Sequence, residues 1–559
     1  MVPESLRTPL KLDPLLHFLA GHPDISFVSK IVEILSVGAN IGFVGPDRAR
    51  VTPNAPSARK HADVLLRSVL KEVSYGHAVG PFFNPPFPNF IVSSLGVRPK
   101  KNGDYRIILD LSQPFGDSVN TFIDKQCYSM RYSKFDDAVH LVQSAGIGAL
   151  MGKLDIKSAF RLIPVRKQDW HLLGYAVENL LYFDVVLPFG CRSSPYLFCL
   201  FSEALHWIFV QSLGRDPLTH YVDDFFFVGR PLSSECSVLM SDFMTLCAIT
   251  GVPLADEKCE SPVTVCTFLG IQLDSVRQTL SLPPGKLKEI HFLVSEWSCK
   301  TICSRTELQS IIGSLQFAAK CIPAGRLFTR RLINALSYDH HQKFIALDQE
   351  MLLDLIWWRD FLPVWNGTAS FLSVNWLSPL VTQLFTDAAA SVGFAAYCSG
   401  RWFNLRWSEA AIAPLDVCIE LLEMIPIYVA CAIWASEFSG KRILFHSDNL
   451  GCVQAWAKLG STNSAVLSLM REIVAVAALN NFALNIVHIS GISNSIADAL
   501  SRFQMDKFRD IVPNAAAKSI VIPPDILKVI GHHLSFPVRR NSFSTLTLQA
   551  AREKLIRPE

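Results

Sequence analysis

The sequence predicts a multidomain protein of the α+β and α/β classes, and three observations support this prediction. The chain has 559 residues, which is too long for a single hydrophobic core and indicates about two to four domains. Half of the residues are hydrophobic and 18% are charged, as in well-packed globular proteins. Strand-like and helix-like runs alternate in two blocks, 90–282 and 384–502, and a mainly helical stretch at 283–360 separates them.

Changes in periodicity define the predicted segments. The N-terminal region is predicted to be helical and to end before the proline-rich passage 80–88, because prolines exclude regular helix and favour extended backbone. In the helical stretch, Ser304 followed by Glu307 predicts a capping box at a helix start. The predicted domains are a helical region (1–75), a first mixed region (76–282), a helical region (283–375), a second mixed-sheet region (380–505) and a tail without strong periodicity (506–559).

The positive charge of the chain is concentrated in one stretch. The net charge of +3 and the pI of about 8.1 do not by themselves indicate a nucleic-acid partner. Between Ser281 and Lys343, however, nine Lys or Arg residues stand against four acids, a local excess of +5. A surface that follows a phosphate backbone has such a charge, and so has a solvated helix face, so composition alone favours neither.

Composition and pattern disfavour several classes of protein. The chain start has no signal-peptide pattern, and the most apolar windows, 195–210 and 419–434, are interrupted by glutamates. We therefore expect an intracellular protein with no membrane partner. The 14 cysteines lack a paired C-x-x-C framework, which indicates reduced thiols. Cys299 and Cys303 have no second ligand pair at zinc-site spacing, so no zinc is expected.

The first group of candidate catalytic residues begins with two adjacent acids, Asp223 and Asp224, in the run HYVDDFFFV. Strand-forming runs flank them, which predicts a hairpin with both acids at its tip. Taken alone, the pair is equally typical of turn chemistry, because Asp tolerates turn conformations. Asp155 ends a further strand-like run, ALMGKLD, and a third acid at a strand end is what two-metal phosphoryl transfer requires.

These segments resemble the polymerase motifs of reverse transcriptases. Three elements occur in the family's order: Asp155 followed by Phe160, the loop LPFGCRSSP at 187–195, and the run YVDD at 221–224. By this resemblance Asp224 is a metal ligand or supports one, and Phe160 excludes a ribose 2′-hydroxyl. The implied metal ligands are Asp155, Asp223 and Asp224. The implied substrate-binding residues in these motifs are Phe160, Phe189, Gly190 and Tyr221.

Further segments match the family in the expected order. The passage VRPKKNGDYRIILDLS resembles the hairpin that holds an incoming triphosphate, and implies phosphate contacts by Arg106 with Lys100 or Lys101. Lys258, in GVPLADEKCE, resembles the lysine that protonates the leaving pyrophosphate, although a lone lysine is usually a surface charge. The resemblance implies a right-hand polymerase, with fingers and palm in 76–282 and a helical thumb and connection in 283–375.

The loop at 187–195 also contains a helix-start signal. Ser194 is predicted to be the N-cap of a helix, with Pro195 at the first helical position.

A second group of acids lies on four separate elements of the second mixed-sheet region. Each one singly is typical of a helix cap or an edge charge. Together they resemble the Asp-Glu-Asp-Asp set of ribonuclease H domains, and this implies metal binding by Asp387, Glu423, Asp448 and Asp498. Glu420 lies one helical turn from Glu423 and is the alternative ligand; the segment EMIPIYVA favours Glu423.

A histidine also matches the ribonuclease H family. His488 corresponds to a histidine on a mobile loop that assists metal turnover or product release, although a lone histidine is often structural.

The resemblance spans about residues 12–505 and is greatest for DIRS-type retrotransposons, which integrate with a tyrosine recombinase. It implies an RNA-directed DNA polymerase with ribonuclease H activity and two Mg²⁺ per active site, with Mn²⁺ as a substitute. The implied partners are an RNA template, a DNA primer, the RNA–DNA hybrid and deoxynucleoside triphosphates. No recombinase set follows Arg502, so a tyrosine recombinase would be a separate chain. The alternatives are an RNA-dependent RNA polymerase and a catalytically inactive nucleic-acid-binding relic.

Overall fold

A computed structural model describes residues 2–3, 5–99, 103, 105–130, 132–337, 343–363, 368–370, 381–410, 417–439, 441–461, 463–480 and 482–534. The chain divides into a first unit, Met1–Thr279, and a second unit, Leu280–Glu559. The predicted boundary at 282/283 is close to this division. The predicted helical region and second mixed-sheet region, by contrast, fall within one unit.

The described part of the first unit contains seven α-helices. In Ile25–Ser36, for example, Asp24 accepts a hydrogen bond from the Phe27 N–H at the helix start, and Ile31, Ile34 and Leu35 are buried on one face. The helices are α1 (Leu12–Leu19), α2 (Ile25–Ser36), α3 (Pro56–Lys60), α4 (Ala62–Ser74), α5 (Phe135–Ala145), α6 (Ser194–Trp207) and α7 (Glu235–Thr250). Short 3-10 turns are found at Val119–Phe122, Ala159–Leu162, Lys167–Leu172 and Asp256–Lys258, and a π turn at Ile208–Ser212.

The strands of the first unit form two main sheets and a hairpin. They are β1 (Arg50–Val51), β2 (Ala78–Phe82), β3 (Ile91–Pro99), β4 (Tyr105–Asp110), β5 (Leu150–Asp155), β6 (Gly174–Val177), β7 (Leu180–Asp184), β8 (Leu218–Tyr221), β9 (Asp224–Gly229), β10 (Glu260–Val263), β11 (Val265–Phe268) and β12 (Ile271–Asp274). One sheet has the order β1-β3-β6-β7-β2 with β4 paired to β3, and the other has the order β10-β5-β9-β8. Strands β11 and β12 pair as an antiparallel hairpin. Strand β13 (Thr279–Ser281) crosses the unit boundary.

The central strand β9 is covered on both faces by aromatic side chains. Phe225 packs on Phe243 of α7 with ring centroids 4.5 Å apart, and Phe226 stacks on Phe268 of β11 at 4.7 Å. Adjacent strand residues point to opposite faces, so a fully apolar run is required where both faces are buried. This burial fixes the register of β9 and therefore the position of the acids at its start.

The second unit combines helices with a five-stranded mixed sheet. Its helices are α8 (Pro284–Trp297), α9 (Arg305–Ala318), α10 (Arg330–Ala335), α11 (Gln349–Phe361), α12 (Ile419–Ile433), α13 (Ala435–Phe438), α14 (Leu450–Lys458), α15 (Ser464–Leu479), α16 (Ser495–Ser501), α17 (Met505–Ile511) and α18 (Pro524–Leu534). Its strands are β14 (Ile302–Ser304), β15 (Phe344–Ala346), β16 (Thr368–Ser370), β17 (Val381–Ala389), β18 (Gly393–Cys398), β19 (Arg401–Arg406), β20 (Arg442–Ser447) and β21 (Ala483–His488). The sheet order is β19-β18-β17-β20-β21; the pairs among β19, β18 and β17 are antiparallel, and those among β17, β20 and β21 are parallel.

The predicted helix start at Ser304 is confirmed. The Ser304 hydroxyl oxygen accepts from the Glu307 N–H, and the Glu307 carboxylate accepts from the Ser304 N–H at 2.8 Å. Strands β14 and β15, which pair within the same stretch, were not predicted. Each has only three residues, too few for a period of two to be visible.

The segment predicted as a tail, 506–559, is folded over its described part. Phe508 of α17 is buried against Trp402 of β19, with ring centroids 5.3 Å apart. The Ala516 and Ile520 N–H groups donate to carbonyls of Gly400 and Trp402 at 2.7 and 2.9 Å. The segment covers the edge strand β19, which would otherwise expose unpaired backbone groups. Its single buried aromatic gave no periodic signal.

A buried ion network joins helices of the second unit. The Arg471 guanidinium of α15 lies 3.3 Å from Asp354 of α11 and donates to the Leu327 carbonyl at 2.8 Å. Arg331 of α10 lies 2.9 Å from the other Asp354 oxygen. Arg471 and Asp354 are 1% and 0% exposed, so neither charge is screened by water. This network links α10 and α11 of the predicted helical region to α15 of the second mixed-sheet region.

Removing one charge of this network should destabilise the second unit. Asp354→Ala leaves two guanidiniums without their shared buried carboxylate, and a loss of about 3–5 kcal/mol is expected. Hydrogen–deuterium exchange in α11 and α15 measures it. Asp525→Asn, at the exposed Lys528–Asp525 pair of the same unit, is the control and should change little. Equal exchange in both variants would contradict a stabilising role for the network.

Candidate active sites

The two adjacent acids predicted at a hairpin lie at the turn between β8 and β9. Tyr221 and Asp224 are the last paired residues, so Val222 and Asp223 form the turn and Asp224 begins β9. Val222 has φ of 58°, a left-handed conformation that costs a β-branched residue about 1–3 kcal/mol. The flanking aromatic strands hold this strained turn, which projects Asp223 from the sheet end.

Asp155 lies beside this turn, as the two-metal hypothesis requires. It ends β5, where it is the antiparallel partner of Asp224, and the Ile156 N–H donates to the Asp223 carbonyl at 3.0 Å. Asp155 is buried, at 7% exposure. The structure therefore brings together the three acids Asp155, Asp223 and Asp224, which we call the first centre.

Charge in the first centre is only partly compensated. Burial, together with the charge of Asp155, raises the pKa of Asp223. Burial raises the pKa of Asp224 to about 6; Lys153 opposes this shift, and the charges of Asp155 and Asp223 add to it. A bound cation would offset such repulsion. The carboxylates therefore fit a divalent metal.

Lys258, predicted from a weak match, contacts the first centre directly. Its Nζ lies 2.7 Å from Asp155 Oδ1. Burial alone would lower the pKa of Lys258, but its hydrogen bond to Asp155 and the nearby carboxylates raise it. The ammonium is thus held protonated at the edge of the centre.

A cleft of about 540 Å³ opens beside the first centre, and we call it the first-unit cleft. Within it, the Arg106 guanidinium carbon lies 5.7 Å from the Phe189 ring, and the Phe189 and Phe160 rings are 5.1 Å apart. Phe160 also packs on Phe198 at 5.8 Å. The sequence-predicted residues that line the cleft are Arg106, Phe160, Phe189, Asp223 and Lys258.

The remaining predicted substrate residues of this region have different positions. Tyr221 is not among the residues that line the cleft, and its ring packs on Tyr132 at 5.1 Å. Lys100 and Lys101 lie outside the described residues. Arg106 is therefore the basic residue of this hairpin that the structure places in the cleft.

Gly190 is required by a close approach of two backbones. Its φ is 117°, and a Cβ there would lie 2.0 Å from the Leu109 carbonyl oxygen. The buried Asn120 side chain fixes the same loop: its amide donates to the Gly190 carbonyl at 2.8 Å and its oxygen accepts from the Arg192 N–H at 2.8 Å. Asn120, in the 3-10 turn Val119–Phe122, was not predicted from the sequence, because no motif surrounds it.

The predicted N-cap role of Ser194 is wrong. Ser194 is the first residue of α6 and Ser193 is the N-cap position, without a side-chain capping hydrogen bond. The Ser194 hydroxyl instead donates to the Pro188 carbonyl at 2.9 Å. This hydrogen bond therefore closes the loop that carries Phe189.

The acids of the second unit converge in the mixed sheet. Asp387 lies on β17, which pairs in parallel with β20, and Asp448 follows the end of β20. Glu423 projects from α12, and its side chain is 4% exposed. Ligand oxygens of Asp387, Glu423 and Asp448 all lie within 4.8 Å of one another, and we call this triad the second centre. Among the described residues, the three acids of the first centre do not reach this closeness.

Repulsion in the second centre is strong. Burial raises the pKa of Asp387 to about 6; the Ser501 hydroxyl opposes this by donating to Asp387, and Asp448 and Asp498 add to it. Burial and the charges of Asp387 and Asp448 raise the pKa of Glu423 well above its usual value. Within the part of the chain that the structure describes, the buried Glu423 Oε2 has no hydrogen-bond partner. A buried acceptor without a donor is rare, and a divalent cation would satisfy it.

The structure also separates the two candidate glutamates. Glu423 joins the second centre, whereas the Glu420 side chain lies against Gly451, where a Cβ would come 2.7 Å from its Oε1. The two residues are one turn apart on α12, so the sequence alone left both open.

Asp498 and His488 lie at the edge of the second centre. The Asp498 carboxylate lies 2.5 Å from Arg502 Nε and 3.6 Å from Lys507 Nζ, and it is not part of the close triad. His488 ends β21, where it is the partner of Ser447, and it is exposed. Ser501 and Arg502, which bond to these acids, were not singled out from the sequence.

A second cleft, of about 580 Å³, lies within the second unit and is called the second-unit cleft. Arg326, Arg330 and Lys458 line it, together with Glu420 and Gly451. Gly451 follows Asp448 closely in the chain, so the cleft adjoins the second centre. Part of the predicted basic stretch therefore faces this cleft.

No helix in the described ranges is both long and apolar enough to cross a membrane.

Comparison with known sequences identifies part of the chain. Residues 98–273 match the family profile described as Reverse transcriptase (RNA-dependent DNA polymerase). The chain is 25% identical over 432 residues to the Transposon Tf2-3 and Tf2-4 polyproteins of Schizosaccharomyces pombe (strain 972 / ATCC 24843), which covers 76% of this chain. It spans 30% of the length of these curated relatives. The profile match includes the first centre and excludes the second.

Similar solved structures include two foamy viral proteins. The foamy viral protease-reverse transcriptase dRH in complex with ds DNA aligns over 88% of this chain and 84% of that chain, at 16% identity and a TM-score of 0.46. The foamy viral protease-reverse transcriptase in complex with RNA/DNA hybrid aligns over 88% and 64%, at 15% identity and a TM-score of 0.44.

Metal binding should distinguish the two glutamates of α12. In a chain whose first centre carries Asp223→Asn, Glu423→Gln should weaken Mn²⁺ binding at the second centre by about 10–100-fold or more, measured by electron paramagnetic resonance titration. Glu420→Gln is the matched control and should leave the affinity unchanged. Without metal, Glu423→Gln should also raise the unfolding temperature, because it removes an ionised group whose pKa folding raises. Equal effects of both substitutions would contradict the assignment.

Proposed function

We propose that the protein is an RNA-directed DNA polymerase that also cleaves the RNA strand of its hybrid product. The proposal starts from the reverse transcriptase domain at residues 98–273 and from the similarity to retrotransposon polyproteins. One observation carries the proposal most directly. Three acids at neighbouring strand ends adjoin a cleft whose lining also includes an arginine, a lysine and a pair of aromatic rings. Such a set suits a two-metal transfer of a nucleotide onto a hydroxyl.

In the proposed polymerase reaction, Asp155, Asp223 and Asp224 would hold two Mg²⁺, for which Mn²⁺ is a substitute. Such ions would supply activation of the primer 3′-hydroxyl and compensation of the charge on the leaving pyrophosphate. Arg106, in the first-unit cleft, binds phosphates of the deoxynucleoside triphosphate, and Lys100 or Lys101 is proposed to assist. Lys258, held protonated, donates a proton to the leaving pyrophosphate. Positioning and electrostatics supply the rate, since no covalent intermediate forms.

Phe160 is proposed to select the sugar. Its ring lines the cleft and is held by Phe189 and Phe198 at 5.1 and 5.8 Å. A ring fixed on two sides cannot retreat from a ribose 2′-hydroxyl, so a ribonucleotide would be excluded by its shape. This favours a DNA polymerase over an RNA-dependent RNA polymerase. Gly190 and Tyr221 are proposed to support the nucleotide site from its loop and its hairpin.

The second centre is proposed to be the ribonuclease H site. Asp387, Glu423 and Asp448 hold its metals, with Asp498 as a further ligand. Metals bound there would activate a water for attack on the RNA backbone. The orphaned Glu423 oxygen and the close approach of three carboxylates support this proposal. His488, exposed on the neighbouring strand, is proposed to assist metal turnover or product release.

The second-unit cleft is proposed to hold the hybrid by its phosphates. Arg326, Arg330 and Lys458 contribute three positive charges beside the second centre. Recognition of backbone and helical shape, without sequence preference, suits a nuclease that must act along a whole transcript. This use accounts for part of the basic stretch that composition alone left undecided.

The element of origin is proposed to be a DIRS-type retrotransposon, with a tyrosine recombinase as a separate partner chain. The passages that resemble this type are GPFFNPPFPNF, GALMGKLDIKSAFRLIPV and NSIADALSR. A catalytically inactive relic is the competing function. It predicts decay of the metal acids, yet all seven predicted positions retain carboxylates in clustered or adjoining positions.

A substitution in one centre should abolish one activity and leave the other unchanged. Asp223→Asn should lower primer extension on an RNA template by more than about 100-fold while hybrid cleavage continues, because one metal ligand is lost at the first centre alone. Asp448→Asn should have the reverse effect. Both reactions are measured on one labelled RNA–DNA substrate. Simultaneous loss of both activities in either variant would argue against two independent centres.

Shortening the Phe160 ring should admit ribonucleotides. Phe160→Val is expected to reduce the preference for deoxynucleotides, expressed as the ratio of kcat/KM values, by at least about 10-fold. Single-nucleotide incorporation with each triphosphate measures the ratio. Phe115→Val, at a 97% exposed phenylalanine of the same unit, is the control. An unchanged ratio in Phe160→Val would remove its proposed role in sugar selection.

A further inference from the structure

A buried ion cluster adjoins the first-unit cleft and has no role in the reaction described above. The Arg161 Nη1 donates to Asp184 Oδ2 at 2.5 Å, and its Nε lies 3.2 Å from Glu72 Oε2. The Tyr175 hydroxyl donates to the other Asp184 oxygen at 3.1 Å. Side-chain exposure is 14% for Arg161 and 2% for Asp184. We call Glu72, Arg161, Tyr175 and Asp184 the Arg161 cluster.

The Arg161 cluster ties together four elements around one point. Glu72 comes from α4, Tyr175 from β6, Asp184 from the end of β7 and Arg161 from the 3-10 turn Ala159–Leu162. All four residues of the cluster also line the first-unit cleft. The charged side chains of the Arg161 cluster therefore form part of the wall of the cleft that is proposed to bind the nucleotide.

The two members of its central ion pair lead directly to the two aromatic rings of the cleft. Arg161 is the residue after Phe160, within the same short turn. Asp184 ends β7, and the buried run 185–187 connects it to the loop that presents Phe189. Phe160 and Phe189 are in ring contact at 5.1 Å. One ion pair thus fixes both chain segments on which the proposed sugar selection depends.

Stability alone does not explain a buried ion pair at this place. Burying charges is costly, and a well-packed apolar pair of similar volume is usually as stable or more stable. What a bidentate-capable guanidinium provides is a defined geometry, because its donors have fixed directions. The ring of Phe160 is held by its contacts with Phe189 and Phe198, and the ion pair restrains the backbone that carries it.

We propose that the Arg161 cluster is a positioning device for sugar selection, which holds Phe160 and Phe189 so that a ribose 2′-hydroxyl is excluded. This inference rests on the proposed polymerase function. Arg161 is a positioning residue in this account, since it acts through the neighbouring ring and contacts no reacting atom. The cluster also gives α4, in the N-terminal region, a part in the nucleotide site through Glu72.

The test compares nucleotide selection in a neutral variant of the pair. Arg161→Gln combined with Asp184→Asn removes both charges together and avoids an unpaired buried ion. We expect the kcat/KM preference for deoxynucleotides over ribonucleotides to fall by about 10-fold, because a ring displaced by a fraction of an ångström no longer excludes the hydroxyl. A purely structural role would lower both kcat/KM values and leave their ratio unchanged, which would overturn the proposal.

Coupling to Phe160 provides a second, independent criterion. In the Phe160→Val background the neutral pair should cause no further loss of selection, because the ring through which it acts is absent. Additive effects of the two changes on the ratio would overturn the proposal. Arg48→Gln with Asp117→Asn, at a 2.7 Å pair whose arginine is 60% exposed, is the matched control and should leave the ratio unchanged.

A milder variant covers the case in which the neutral pair does not fold. Tyr175→Phe removes a single hydroxyl from the Asp184 carboxylate and preserves the ring; a smaller fall in the ratio, with an unchanged unfolding temperature, is expected. If Tyr175→Phe folds and shows the same preference for deoxynucleotides over ribonucleotides as the unchanged chain, the proposal is overturned. Absence of any nucleotide incorporation by the unchanged chain would instead refute the proposed polymerase function, and this inference with it.

Discussion

Repulsion between clustered carboxylates is the constraint on which both units depend. Asp155 and Asp224 are paired residues on neighbouring strands, and Asp387 meets Glu423 and Asp448 within 4.8 Å. Each arrangement opposes folding unless a cation is nearby, because like charges in a partly buried place repel strongly. The aromatic packing of β9 and the mixed sheet of the second unit supply the rigidity that keeps these acids together.

The two centres differ in how far neighbouring groups compensate their negative charge. In the first, Lys258 lies 2.7 Å from Asp155 and compensates part of the negative charge. In the second, Glu423 Oε2 has no hydrogen-bond partner among the described residues, and burial and neighbouring carboxylates raise the pKa of Glu423. The negative charge of the second centre is therefore less compensated than that of the first.

Much of the fold and of both centres could be predicted because the signals are local. Asp155 ends one strand-forming run, Asp223 and Asp224 stand between two others, and the capping box at Ser304 is a four-residue pattern. The choice of Glu423 over Glu420 could not be derived from helical spacing, since one turn separates them. Asp498 was grouped with the triad, yet its carboxylate is engaged by Arg502 and Lys507.

Long-range pairings explain what the sequence did not reveal. Arg161 and Asp184 become partners only because a 3-10 turn and a strand end meet in three dimensions, and Asn120 reaches a loop 70 residues away. The folded segment around Phe508 is similar, since its role is to cover an edge strand far earlier in the chain. Single polar or aromatic residues outside a motif give no periodicity from which such contacts can be inferred.

Anomalous X-ray diffraction from crystals grown with Mn²⁺ tests whether the two clusters of acids bind metal, because it locates the metal without relying on activity. We expect manganese at both centres, bound by Asp155, Asp223 and Asp224 in the first unit and by Asp387, Glu423 and Asp448 in the second. Crystals at saturating Mn²⁺ with no anomalous signal at either cluster would contradict it, and would show that these acids are tolerated without a cation.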